Sequence, residues 1–186
     1  MTTMYKVIGI SGSLRSHSLN SLFLRAMALI SPQEVRFEIS TTPGSLPLFN
    51  PDLEYQPPAK VRLWRQELHN ADLILIVSPE YAHGVSGVIK NALDWLVSSG
   101  ELLDKPVALP NLSPVTDLAW GQLRETVTVM GGILSEACSP TATLATRYVL
   151  PGVTAEELAS SPLTGPRLQK LWLEIIRAVQ QSLSLA

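Results

Sequence analysis

Seven polar side chains crowd the short segment between Gly9 and Ser21: Ser11, Ser13, Arg15, Ser16, Ser18, Asn20 and Ser21. They follow an apolar run and precede a helical pattern. The amino terminus of a helix leaves several backbone N–H groups without partners and carries the positive end of the peptide dipole, so this junction is suited to an anion. Hydroxyls and the Asn20 amide add donors, and Arg15 adds the charge that a terminal phosphate dianion needs. Competing phosphate motifs do not fit. The segment has no GxxxxGK[ST], and Gly9 with Gly12 does not make GxGxxG. The next apolar run ends in Ser40-Thr41-Thr42, without the Asp or Glu that would hold a dinucleotide ribose. A terminal phosphate therefore suits the loop better than a pyrophosphate. The plainer reading makes Ser18 or Asn20 a helix cap and Arg15 a solvated charge.

Other reactive groups are few. Cys138 is the single cysteine of 186 residues, so neither an internal disulfide nor a Cys-based zinc pattern can form, and an apolar neighbourhood reads as a core position. His83 carries an imidazole, yet a lone loop histidine is weak ground for a proton donor. Apolar residues make up 46% and charged residues 16%, with a net charge of −2. No basic stripe is available for nucleic acid or an anionic membrane surface. The opening MTTMYKVIGIS does not read as a secretory signal, and no apolar run reaches about 18 residues, the length that would suggest a membrane span. The expectation is a cytoplasmic protein forming one domain over 1–186, with no nucleic-acid or membrane partner.

The elements that must position the loop alternate along the chain. Tyr5–Ile10 reads as a buried strand, Leu19 to Ile30 as a helix ended by Pro32, and Val35–Ser40 as a second strand. Thr42–Pro58 reads as an irregular loop. Val61, Trp64, Leu68 and Ala71 mark a helix, and Leu73–Val77, five consecutive large apolar residues, a strand buried on both faces. Val85–Val97 reads as a helix, Val107–Leu112 as a strand, Gln122–Met130 as a helix, Ile133–Ala137 as a strand and Pro166–Leu185 as an amphipathic helix. Such βα alternation predicts a parallel sheet covered on both faces, with ligands beyond the carboxyl ends of its strands.

Gly12-Ser-Leu-Arg-Ser-His-Ser-Leu-Asn20 resembles the GSxRxxSxN signature of the NAD(P)H-dependent FMN reductase family, which includes quinone, chromate and azo-dye reductases. Ser78-Pro-Glu-Tyr-Ala-His-Gly-Val-Ser-Gly-Val-Ile-Lys-Asn-Ala-Leu-Asp-Trp95 is similar to its PEYNxxxPGxLKNAIDW block, and Leu46-Pro-Leu-Phe-Asn-Pro-Asp-Leu-Glu54 to its LPLYNxDLE segment. The resemblance covers about residues 5–98. It implies a flavodoxin-like three-layer α/β sandwich, a doubly wound, five-stranded parallel sheet of order 2-1-3-4-5. It also implies FMN, reduced by NAD(P)H and reoxidised by a small-molecule electron acceptor. Ser13, Arg15, Ser18 and Asn20 would surround the FMN phosphate, with Ser11 and Ser21 beside them. The loop carrying Pro79, Glu80, Tyr81, Ala82 and Gly84 would meet the flavin ring, where backbone N–H groups stabilise the charge that appears on reduction. Gly84 and Gly87 would let that backbone come close. The stretch Lys90–Trp95 would form part of a homodimer or homotetramer interface.

Three departures from the family pattern stand out. Ala82 occupies a place usually held by Asn, and Ser86 one usually held by Pro. Asn111–Gly121 replaces a glycine-rich loop, leaving Ser113 as its polar candidate while Leu118 and Trp120 threaten to narrow the ring pocket. Two alternatives stay open on these residues, a flavodoxin-type electron carrier and a flavin-free relative.

Overall fold

The computed structural model describes residues 4–112, 117–141 and 152–185. Five parallel strands form the main sheet: β1 (Tyr5–Ser11), β2 (Val35–Ser40), β3 (Leu73–Val77), β6 (Pro106–Ala108) and β7 (Ile133–Leu134). Their order is β2-β1-β3-β6-β7, which is the expected 2-1-3-4-5 once a separate two-stranded hairpin, β4 (Glu80–Tyr81) with β5 (Gly84–Val85), is set aside. This is the flavodoxin-like arrangement, in which the strand order reverses between β1 and β3. Val7 pairs with Phe37 on one side and Leu73 on the other, so the central strand is bonded along both edges.

Helices cover both faces because β1 and β3 are apolar on both. On one face Phe23, Leu24 and Met27 of α1 (Leu19–Leu29) pack with Trp172 and Ile175 of α6 (Gly165–Leu185). On the other, α2 (Ala59–His69), α3 (Gly87–Asp94) and α4 (Leu118–Val129) contribute Val61, Trp64, Ile89, Leu93 and Leu123. Each fully buried tryptophan finds an acceptor for its indole N–H, as burial of that group requires. Trp64 donates to Ala92 O (3.0 Å), Trp95 to Pro47 O (2.9 Å) and Trp172 to Met27 O (3.0 Å).

Several boundaries differ from the expected ones. The loop after β2 contains two 3₁₀ turns, Thr42–Ser45 and Pro51–Leu53, each with a proline in its first positions. It is stapled to α3: Phe49 N–H donates to Asn91 Oδ1 (2.8 Å), Asn91 Nδ2 donates to Pro47 O (3.0 Å), and Phe49 stacks edge-on against Trp95. The side chains of Asn91 and Trp95 are therefore engaged within the protomer, and Trp95 is a core residue. Lys90 and Asp94 form an i,i+4 pair on the outer face of the same helix. The fourth strand stops at Ala108 because the next backbone donors leave the ladder: Leu109 N–H goes to Ser139 Oγ (2.9 Å) and Asn111 N–H to Pro140 O (3.0 Å). The fifth strand likewise stops at Leu134, and α4 starts four residues before Gln122. A short helix, α5 (Ala155–Ser160), adds to the elements that the pattern predicts; it begins with a capping box between Thr154 and Glu157.

Candidate functional site

Three loops gather at the carboxyl ends of β1, β3 and β6. Gly12 joins two of them. A Cβ built on it would lie 2.8 Å from Ile89 Cγ1, Ser78 Oγ and Ser86 Oγ, so only glycine lets the loop after β1 seat against the start of α3. Gly12 N–H also donates to Val77 O (2.8 Å), extending the β1–β3 pairing into the site.

The loop before α1 is organised by its own hydroxyls. Ser11 and Ser21 share a hydrogen bond (3.0 Å), Ser13 N–H donates to Ser11 Oγ (3.3 Å), and Arg15 N–H to Ser13 Oγ (3.4 Å). Ser18 is the N-cap of α1; its Oγ accepts a long bond from Ser21 N–H (3.5 Å). The cap reading of Ser18 thus holds, and the long contact leaves the hydroxyl able to serve a ligand. Asn20 does not cap. It is 7% exposed, and its carboxamide makes no hydrogen bond to any described residue. The amide is not sealed away from solvent, so it stands free of protein partners at a point that a ligand can reach. Arg15, in the same loop, is exposed.

Ser11, Ser13 and Ser21 also line a crevice of about 260 Å³ that runs between α1 and the end of β2, together with Arg25 and Thr41. Sequence reasoning missed Arg25. The available signal was its spacing from Ser21, one helical turn along α1.

The loop after β3 forms the hairpin β4–β5. Tyr81 stands at its tip, 52% exposed, and the turn residues Ala82 (φ 49°) and His83 (φ 60°) are both left-handed. Gly84 and Gly87 are not demanded by the fold: a Cβ at Gly84 would make ordinary contacts with Tyr81 O (3.5 Å) and Gln122 Oε1 (3.9 Å), and one at Gly87 would meet nothing within 4 Å. Ser86 supplies what proline could not, a buried cap for α3 that accepts from Ile89 N–H (3.4 Å) and from Ser78 Oγ (3.4 Å). Pro79 is half-buried with its carbonyl accepting from Ser78 Oγ (3.1 Å). The Glu80 carboxylate turns toward α4, where it accepts from Ala119 N–H (3.0 Å).

Trp120 does not lie loose across the pocket. Its indole N–H donates to Leu109 O, its ring joins the core with Val85, and the Arg124 guanidinium covers it at 4.7 Å. Ser113 lies outside the described residues. Cys138 is fully buried, and burial raises its thiol from 9.0 to about 11. A thiol of that kind is inert. Iodoacetamide at pH 8 should leave folded protein unmodified and label Cys138 fully in denaturant; labelling of the folded chain would place the thiol at the surface. Because the unfolded thiol ionises first, stability should fall as pH rises from about 9 toward 11.

Among the described residues no helix is long and apolar enough to cross a membrane. The model of the family described as NADPH-dependent FMN reductase matches residues 5–142. A 2-hydroxy-1,4-benzoquinone reductase from a Burkholderia species is 39% identical over 90 residues, which are 48% of this chain and 49% of that protein. An NAD(P)H-dependent FMN reductase from Pseudomonas aeruginosa is 41% identical over 97 residues, 51% of each chain. The matched stretch thus spans about half the length of these relatives. The fold extends further: the flavoenzyme NAD(P)H:(acceptor) oxidoreductase FerB from Paracoccus denitrificans superposes with a TM-score of 0.79 over 96% of this chain and 99% of its own, at 24% identity.

Proposed function

The chain belongs to the NADPH-dependent FMN reductase family, and from that premise we propose that it holds FMN, takes hydride from NADPH or NADH, and delivers electrons to a small acceptor. Acceptors of this kind are quinones, azo compounds, metal oxyanions or free flavin, and the quinone class draws support from the name of the Burkholderia relative. The observation that carries the reading is the loop before α1, where the Asn20 carboxamide makes no hydrogen bond to a described residue yet is not sealed from solvent, and where Arg15 is exposed. That donor set fits a phosphate monoester. FMN, when bound, supplies a ring that accepts hydride and gives electrons on.

The residues divide the work. Arg15 meets the phosphate charge, Ser13, Ser18 and Asn20 supply hydrogen bonds, and Ser11 with Ser21 keeps the loop in shape. Tyr81 and the backbone of 81–84 receive the ring, with small residues at Ala82 and Gly84 leaving one side open to nicotinamide. Catalysis then rests on position and on the exclusion of water, with no side chain required as an acid or base. Anaerobic addition of NADPH or NADH to the FMN-loaded protein should bleach its visible absorption; persistent colour with both nucleotides overturns the reading. The cytoplasm, where reduced nicotinamides are generated, is the compartment it expects.

The same reading includes a homodimer or homotetramer. Leu48 (84% exposed), Tyr55 (97%) and Val97 are apolar side chains left in water near the loop stapled to α3. Burial in a symmetric contact is the common remedy for such a patch. Sedimentation at micromolar concentration should give a dimer or tetramer, reduced to monomer by Leu48→Asp with Tyr55→Asp; a wild-type monomer removes the proposal.

A further inference from the structure

We infer that Glu80 is a positioning residue, the latch that holds the Tyr81 hairpin against α4 and so sets the ring end of the site. The inference rests on the proposed flavin role for that hairpin. Glu80–Val85 is a poor structure by its own means. It has two ladder pairs, Glu80 with Val85 and Tyr81 with Gly84, and stands apart from the main sheet. Isolated hairpins of two strands are marginal in water. Its turn makes matters worse, because Ala82 and His83 both occupy the left-handed region that suits Asn and Gly in a two-residue turn.

What the hairpin lacks, α4 provides. Asp117, the N-cap of α4, makes no side-chain capping bond, so the first turn of the helix has N–H groups to satisfy. Glu80 Oε2 accepts from Ala119 N–H at 3.0 Å, which caps the helix from outside and places a carboxylate at the positive end of its dipole. The other oxygen, Oε1, meets His83 Nδ1 at 3.1 Å across the turn. One helical turn on, Gln122 Nε2 donates to His83 O at 3.2 Å. The helix is in turn fastened to the end of β6 through the Trp120 indole and Leu109 O. A continuous set of bonds thus runs from the sheet through α4 and Glu80 to the hairpin that carries Tyr81.

A latch predicts effects confined to one end of the ligand and removable by a better turn. In the full-length protein without flavin, Glu80→Ala should speed hydrogen exchange of the amides of 81–85 and 119–120 by about tenfold, the equivalent of one charge-assisted hydrogen bond, with β1 and β3 unchanged. Glu80→Gln keeps an acceptor for Ala119 but loses the charge, and should fall between wild type and Glu80→Ala. Replacing Ala82 by Asn and His83 by Gly installs a favoured turn and should restore protection in the Glu80→Ala background. In titrations, Glu80→Ala should weaken FMN and riboflavin by the same factor. Wild-type exchange in Glu80→Ala, failure of the improved turn to restore it, equal damage from Glu80→Gln, or weakening of FMN alone would each overturn the inference. A protein that binds no flavin defeats the proposed function and leaves the exchange result to stand by itself.

Discussion

FMN will bind this protein at least about a hundredfold more tightly than riboflavin if the proposed site is right, because the two differ only in the group assigned to the loop before α1. Each charge-assisted hydrogen bond contributes about 1.5–3 kcal/mol, and two of them already exceed the roughly 2.8 kcal/mol that a hundredfold requires. Arg15 is exposed, so Arg15→Ala should fall at the low end of that range, about tenfold weaker for FMN with riboflavin unchanged. Asn20 gives the sharper test because its effects on stability and binding have opposite signs. In the free protein its carboxamide makes no hydrogen bond to a described residue that its loss would break, and alanine is the better helix former. Asn20→Ala should therefore leave the melting temperature of the flavin-free protein unchanged or higher while weakening FMN by about tenfold. Fluorescence-quenching titrations and thermal melts check both. Equal affinity for FMN and riboflavin would remove the phosphate from the argument, and a destabilised free protein would make Asn20 an ordinary structural amide.

The same residue shows what can be read before a structure exists. Asn20 and Ser18 stand in a short motif whose chemistry is local, so spacing was enough to assign both to one loop. Continuous apolar runs such as Leu73–Val77 were equally legible, since only a strand buried on both faces explains them. Boundaries failed where apolar residues continue past an element. Val85 extends the stripe of Val88 and Ile89 but belongs to the hairpin, and Leu109 and Leu112 are buried beyond the point where β6 leaves its ladder. Long-range partners failed for a deeper reason. Phe49 and Asn91 are 42 residues apart, Trp95 and Pro47 48 apart, and Glu80 and Ala119 39 apart. No periodicity encodes such pairs. Polar residues on α3 thus looked like an outer face, although Asn91 is turned inward. The Thr154–Glu157 box is the opposite case, a capping signal held within four consecutive residues.

The largest spectroscopic change expected is complete loss of the FMN absorbance on anaerobic mixing with NADPH or NADH, without a second protein. It separates a reductase, which keeps one ring face open to nicotinamide, from a carrier, which can cover both. Trp120 was the residue best able to close that face. Its position argues otherwise: the indole N–H is committed to Leu109 O, the ring is packed against the core, and Arg124 lies over it and pairs with Glu136. Trp120→Phe should therefore bleach as wild type does, with a modest loss of stability. Trp120→Gly should do harm of a different kind. It removes a half-buried aromatic ring and sets a second glycine beside Gly121 in α4, about 1 kcal/mol in helix propensity added to a packing loss of about 2–4 kcal/mol. Bleaching by the wild type, retained in Trp120→Phe, is the outcome that a packed indole requires. A wild type that stays oxidised while Trp120→Phe or Trp120→Gly bleaches would return the side chain to the ring face, and FMN that stays oxidised in all three would make the protein a carrier.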